Sequence, residues 1–170
     1  WKEYLANDFI KRLARKSKEK REVQQSCVLA LGLLGDTDDD ILDKVIRNLL
    51  YNIPSTLADQ QTRNFSLVAL AHIGSNIGQA DDTFYAVKEV QNHLFKQLVR
   101  GKSTTRAWAG LSLGIMANRL AEERLSISTE VNHALAKELK SENQPKRIAA
   151  YALGIGLTGS VQSSDALVDK

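Results

Sequence analysis

Apolar residues recur along this chain at helical spacing, and the recurrence has two textures. In one, a single stripe runs along an otherwise polar segment, as with Leu5, Phe9 and Leu13 within Trp1–Arg15, or Val87, Val90, Leu94 and Leu98 within Asp82–Arg100. Ile41–Ile53 and Ser128–Leu139 read the same way. In the other texture, apolar and small residues occupy most sides of the segment. Trp108, Leu111 and Ile115 form one stripe there, and Ala109, Leu113, Met116 and Leu120 form a second, as expected of a helix with neighbours on both faces. The chain thus predicts an alternation of amphipathic helices with buried, inner ones.

Boundary signals agree. The acidic runs Thr37-Asp38-Asp39-Asp40 and Asp81-Asp82-Thr83 suit helix N-termini, where carboxylates accept from free backbone donors and favour the macrodipole. Asn52–Pro54, Gly101–Ser103 and Ser141–Pro145 read as turns, with Pro145 opening the next helix at its first position. Gly35 and Gly74 are expected to close their helices as residues compatible with the left-handed conformation.

The inner segments are copies of one another. QSCVLALGLLG from Gln25, NFSLVALAHIG from Asn64, AWAGLSLGIMA from Ala107 and RIAAYALGIGL from Arg147 stack without gaps. The small residue before the shared leucine (Ala30, Ala69, Ser112, Ala152) recurs at intervals of 39, 43 and 40 residues. Leu31, Leu70, Leu113 and Leu153 follow it, and then Gly32, Ala71, Gly114 and Gly154. A leucine recurring at one helical position fills the same hole between layers, and a small residue beside it lets the next helix approach. Glycine within a helix costs about 1 kcal/mol relative to alanine, so its repetition signals close packing or a nearby helix end. Cys27, Ser66, Ala109 and Ala149 form another small column, which makes Cys27 a core filler.

With these columns in place the chain resembles the HEAT repeat family, in the variety whose first helix follows R-x-x-A-x-x-A-L-G-x-x-G. Arg63 to Gly74 and Lys146 to Gly154 carry the pattern most clearly, while Gln24 stands at the first copy's basic position and Ala117 where the third copy would close with glycine. That third helix is therefore expected to run on toward Leu120. The resemblance implies an all-α, right-handed α-solenoid of about four helical hairpins of roughly 40 residues. The units would be a partial repeat at 1–21, repeats at about 22–60, 61–102 and 103–143, and a partial repeat at 144–170, taken as one segment of a longer array. Armadillo repeats, with a third short helix per unit, resemble the chain less; the leucine- and glycine-rich repeats of proteasome scaffold subunits resemble it more nearly, and would also build a helical solenoid.

Composition excludes more than it assigns. The chain has 170 residues, 43% apolar but only 6% aromatic, with two prolines, which suits helices and fits an all-β barrel or sandwich poorly. A single cysteine excludes an internal disulfide framework and a cysteine-rich zinc site. No apolar run approaches the roughly 20 residues that span a bilayer. The net charge of +3 is concentrated: Lys11 to Arg21 holds seven basic residues and one acid, Glu19, whereas the rest of the chain is slightly acidic.

Candidate chemistry is sparse. Asp36, Asp38 and Asp40 stand at calcium-loop spacing, but Ile41 and Arg47 occupy the positions of the loop's glycine and terminal glutamate, so helix capping is the better reading. His72, His93 and His133 do not pair at three or four residues, and the His-Glu pairs of the HEAT-like di-iron hydroxylase are missing. His72 reads as a structural, hydrogen-bonded histidine. GLLGD and GIGLTG lack the lysine and hydroxyl of a phosphate loop. No catalytic, metal or cofactor set emerges.

The resemblance therefore implies a non-catalytic scaffold that presents the second helix of each hairpin to a protein partner. With the apolar stripes turned inward, the exposed face would carry Lys11 and Arg15, then Lys44 and Arg47, then Lys88, Asn92 and Lys96, then His133, Lys137 and Lys140, diluted by Asp43, Glu89, Glu130 and Glu138. Arg63, Arg106 and Arg147, at the starts of inner helices, are expected to serve packing or salt bridges. Nucleic-acid binding is the alternative, because HEAT-like alkylpurine glycosylases use a basic concave groove with aromatic and acidic residues at its floor. Tyr51 and Phe95 are the aromatics placed to serve such a groove, no facing aspartate is identifiable, and no aromatic interrupts Lys11 to Arg21.

Overall fold

The computed structural model describes residues 1–14, 16–56, 59–79, 83–160 and 167–168, without the side chains at 54–56, 83 and 85. The described residues form eight helices and no strand: α1 (Lys2–Arg12), α2 (Arg21–Leu34), α3 (Ile41–Thr56), α4 (Gln60–Ser75), α5 (Thr83–Arg100), α6 (Ser103–Glu122), α7 (Thr129–Ser141) and α8 (Pro145–Thr158). The all-α expectation and the alternation of textures hold. α6 does run past Leu120, and Pro145 does open α8. The chain divides into two compact units, Trp1–Val90 and Gln91–Lys170, with the break inside α5.

In the first unit α2 packs on α4, with α1 against α2 and α3 against α4. Val28 and Leu31 of α2, Ile46, Leu50 and Ile53 of α3, and Leu67, Leu70 and Ile73 of α4 are buried. The two inner helices touch at the small-residue columns. A Cβ built on Gly32 would lie 2.5 Å from Ala69 Cα and 2.7 Å from its Cβ, closer than any side chain tolerates.

In the second unit α6 packs on α8 and α7 lies against α8. Leu113, Met116 and Leu120 meet the requirement for a filled interior together with Val131, Leu135, Leu139, Tyr151 and Ile155, all buried. Here a Cβ on Gly114 would overlap the Gly154 carbonyl oxygen and lie 2.6 Å from Gly154 Cα, while one on Gly154 would lie 2.6 Å from Gly110 O. In both units the members of the repeat's small columns meet across successive inner helices.

Several expectations need correction. α3 continues through Asn52–Pro54 to Thr56, because a proline in the last turn removes only one helix hydrogen bond. Gly35 ends α2 with extended dihedrals (φ −77°, ψ 155°), not left-handed ones; a Cβ there would stand 2.9 Å from Ile73 Cδ1, a side-chain end that can shift. Gly74 lies within α4, which ends at Ser75 with Asn76 as its cap. The left-handed glycine is Gly159, at φ 61° after α8. Leu153 and Ala149 are exposed, Leu153 by 60%, although their column partners Leu31, Leu70 and Leu113, and Cys27, Ser66 and Ala109, are buried. α8 turns Tyr151, Gly154 and Ile155 inward instead, and among the described residues no helix packs over its opposite side. The acidic start at Asp81 and Asp82, and the side chain of Thr83, lie outside the described residues.

Candidate functional site

In the first unit the densest polar construction is the connection between α2 and α3. Asp40 caps α3 as expected, its Oδ1 accepting from the Asp43 amide at 2.9 Å. Asp36 Oδ1 accepts from the Asp38 amide, and Asp43 Oδ1 from the Asp36 amide, each at 2.9 Å. Lys2 Nζ then bridges Asp36 and Asp43 at 2.7 and 2.6 Å, tying α1 to the connection. Asp43 is fully buried; burial pushes its carboxyl up to about 6, against the opposing pull of Lys2. The connection is also held from α4: the Thr37 amide donates to Asn76 O at 3.1 Å, Asn76 Nδ2 to Gly35 O at 3.0 Å, and the Gly78 amide to Thr37 Oγ1 at 2.9 Å. Of the aspartates at calcium-loop spacing, Asp36 is thus engaged in pairing and Asp40 in capping, while Asp38 contributes its backbone amide and carbonyl.

Arg47, expected on an exposed basic face, is 2% exposed. Its Nη1 donates to the carbonyls of Asp36 and Asp38 at 2.8 Å each, and its Nε stands 3.8 Å from Glu89. The reason is geometric: a long guanidinium nearly two turns into α3 satisfies the carbonyls of the loop folded over it, which a sequence pattern does not reveal. Asp43, expected to dilute that face, is likewise inside. Of the other cations, Lys11 and Lys88 are exposed, Lys44 reaches Asp39 at 2.9 Å, and Arg15 lies outside the described residues.

Around the turn from α1 to α2, Arg12 is drawn to Asp8 and Glu19, both at 2.7 Å. Lys11, Lys16, Lys18, Lys20 and Arg21 are exposed and have no ion pair among the described residues. Cys27 is buried nearby with a free thiol, pushed up by that burial.

In the second unit Asn92, Lys96, His133, Lys137 and Lys140 are all exposed. His93 is half-buried; burial, with Lys96 one turn on, lowers it to about 4, so it is neutral at pH 7. Arg106 pairs with Glu138 at 2.9 Å, and the Tyr151 hydroxyl donates to the same carboxylate at 3.4 Å, joining α6, α7 and α8. Arg147 holds Glu142 through two hydrogen bonds of 2.7 and 2.8 Å. Arg106 and Arg147, both at inner-helix starts, are therefore salt-bridged. Tyr51 and Phe95, the aromatics considered for a base-binding groove, are both half-buried, as is His72.

Sequence reasoning missed Asp59, which caps α4. Its Oδ2 accepts from the Thr62 amide at 2.7 Å, the Thr62 hydroxyl at 2.6 Å and Gln25 Nε2 at 2.9 Å, and these bonds hold it down to about 2. The local signal existed, an aspartate three residues before a threonine at a helix start. The Lys2 contacts had none, being 34 and 41 residues apart in sequence. Comparison with protein-family models, curated proteins and solved structures finds no match for this chain.

Proposed function

We propose that the chain is a segment of a HEAT-like, right-handed α-solenoid whose function is non-catalytic: it presents exposed side chains of its second helices to a protein partner. One observation carries this reading. Residues in the repeat's small columns, Gly32 with Ala69 in one unit and Gly114 with Gly154 in the other, meet face to face across successive inner helices, as stacked copies of one unit require. The candidate partner-binding residues are Lys11, Lys44, Lys88, Asn92, Lys96, His133, Lys137 and Lys140, with Arg47 withdrawn because it is committed to carbonyls. The test compares proteins retained by the immobilised chain with those retained by a Lys88→Glu/Lys96→Glu/Lys137→Glu variant. Loss of specific partners supports the reading, and identical retention removes the basic face from it.

The exposed cations of the turn before α2 favour a second reading, nucleic-acid binding. Fluorescence anisotropy with duplex and single-stranded DNA separates the two. A phosphate-driven binder loses affinity steeply between 50 and 200 mM salt (about 10³-fold for six phosphate contacts), and absence of binding at low salt eliminates this alternative.

A further inference from the structure

Between α1 and α2 the first unit holds an open groove of about 500 Å³, lined by Phe9, Val23, Cys27 and Ala30, with Asp8, Arg12, Glu22 and Ser26 at its edges. A groove of this size accommodates a few large apolar side chains, and its wall is predominantly apolar. At one end the chain turns from α1 into α2, and there basic residues predominate. Arg12 pairs with Asp8 and Glu19, and against these two acids and the exposed Glu22 stand Lys11, Lys16, Lys18, Lys20 and Arg21 as well, so this end is net positive. The N-terminus of α2 opens at the same end, and Lys20 at its cap supplies no side-chain hydrogen bond, so the helix's free amides add to the positive potential.

An apolar groove that runs up to a net basic turn is complementary to a segment that is apolar on one side and acidic at one end. We infer that the α1–α2 groove is a docking site for an acidic amphipathic helix of a partner protein, its apolar residues at helical spacing seated over Phe9, Val23 and Ala30 and its carboxylates turned to the basic turn. This inference rests on the protein-binding reading and gives it a partner chemistry. Nucleic acid fits less well, because a phosphate backbone has no use for the apolar floor and no exposed aromatic stands in the turn to stack on bases.

The experiment selects 16-residue peptides from a displayed random library on the full chain, then measures the selected peptides by fluorescence anisotropy at 50 and 300 mM salt. The expected winners are acidic, carry apolar residues at i, i+3 or i+4 and i+7, and weaken with salt. They should also lose at least tenfold in affinity for Lys16→Glu/Lys18→Glu/Lys20→Glu, which changes exposed positions only, and for Ser26→Trp, which fills the groove; circular dichroism verifies that both variants fold. No enrichment, winners without net negative charge, or winners that bind both variants as well as the original chain overturn the proposal. So does single-stranded DNA that binds the chain and is lost with the lysines but not with Ser26→Trp. Self-association in sedimentation that Ser26→Trp abolishes also overturns it, assigning the groove to a second copy. Partner retention that survives both groove variants but is lost in Lys96→Glu/Lys137→Glu sinks this docking site while leaving the broader binding reading intact. Retention indifferent to every variant counts against both.

Discussion

The two units end their corresponding inner helices differently. After α2 the chain is held by distant side chains: Lys2 reaches in from α1, Asn76 from the end of α4, and Arg47 from α3. After α6 it is held by its own backbone. The Leu125 amide donates to Leu120 O at 2.9 Å and the Arg124 amide to Ala121 O at 3.0 Å, with Arg124 left-handed at φ 58°: a Schellman end in which arginine stands where glycine is usual. One corner depends on tertiary contacts and the other is nearly self-sufficient. Stability in the first unit should therefore respond to remote substitutions and to pH, and in the second to local backbone chemistry and to the helix–helix seam.

The seam provides the largest expected effect. Gly114→Ala places a methyl group against the Gly154 backbone, which cannot withdraw, and should cost about 2–3 kcal/mol despite the roughly 1 kcal/mol that alanine gains in helix propensity. Gly156, on the same stack, has nothing within 4 Å of a built Cβ. Gly156→Ala should then stabilise by up to about 1 kcal/mol, and urea denaturation followed by circular dichroism reads both; equal effects would mean that the close approach is absent.

At the first corner, Lys2→Ala leaves the buried Asp43 carboxylate without its cation. Loss of a partner for a buried charge costs about 3–5 kcal/mol; because the lysine side chain is 37% exposed and water can replace part of it, about 1–3 kcal/mol is expected from the same denaturation measurement. Nothing comparable should follow from Lys137→Ala, an exposed site on α7.

The pH response follows from the direction of each shift. Asp43 titrates at about 6 in the fold, above its ordinary 3.8, so its favourable contribution is fully present below 3.8 and is lost as pH rises through 6. Asp59 and Glu142 are both lowered to about 2, so theirs is present above the ordinary carboxylate range and is lost as pH falls through 2. Between pH 7 and 4.5 Asp43 adds stability as pH falls while His93, lowered to about 4, removes it, so the comparison is between variants: Asp43→Asn should lose more stability than the original chain on going from pH 7 to 4.5, and identical pH profiles for the two contradict the buried carboxylate.

The smallest expected effect lies at the second corner. Arg124→Gly relieves a left-handed non-glycine residue and should stabilise by about 0.5–1 kcal/mol, readable as a small shift in the urea midpoint.

Much of this was legible in order along the chain. The stripe Val87, Val90, Leu94 and Leu98 is buried and Lys88, Asn92 and Lys96 are exposed, as a period of 3.6 requires. Boundaries marked by Asp40 and Pro145 are where the residues place them, because capping and proline act within a single turn. Leu153 shows the limit of column reasoning. Its place in the repeat is that of a core leucine, yet burial needs a second surface, and none among the described residues covers that side of α8.

The sequence by itself determined the helices, their alternation of inner and amphipathic texture, and the small columns through which inner helices meet, since each of these is encoded within a few turns. Tertiary structure alone decided the fate of the charges. Arg47 became an internal donor, Asp43 a buried carboxylate and Lys2 its clamp, while Lys16, Lys18 and Lys20 stayed in water beside an apolar groove. Whether a charge is exposed, paired or desolvated depends on groups dozens of residues away, and no local period carries that information.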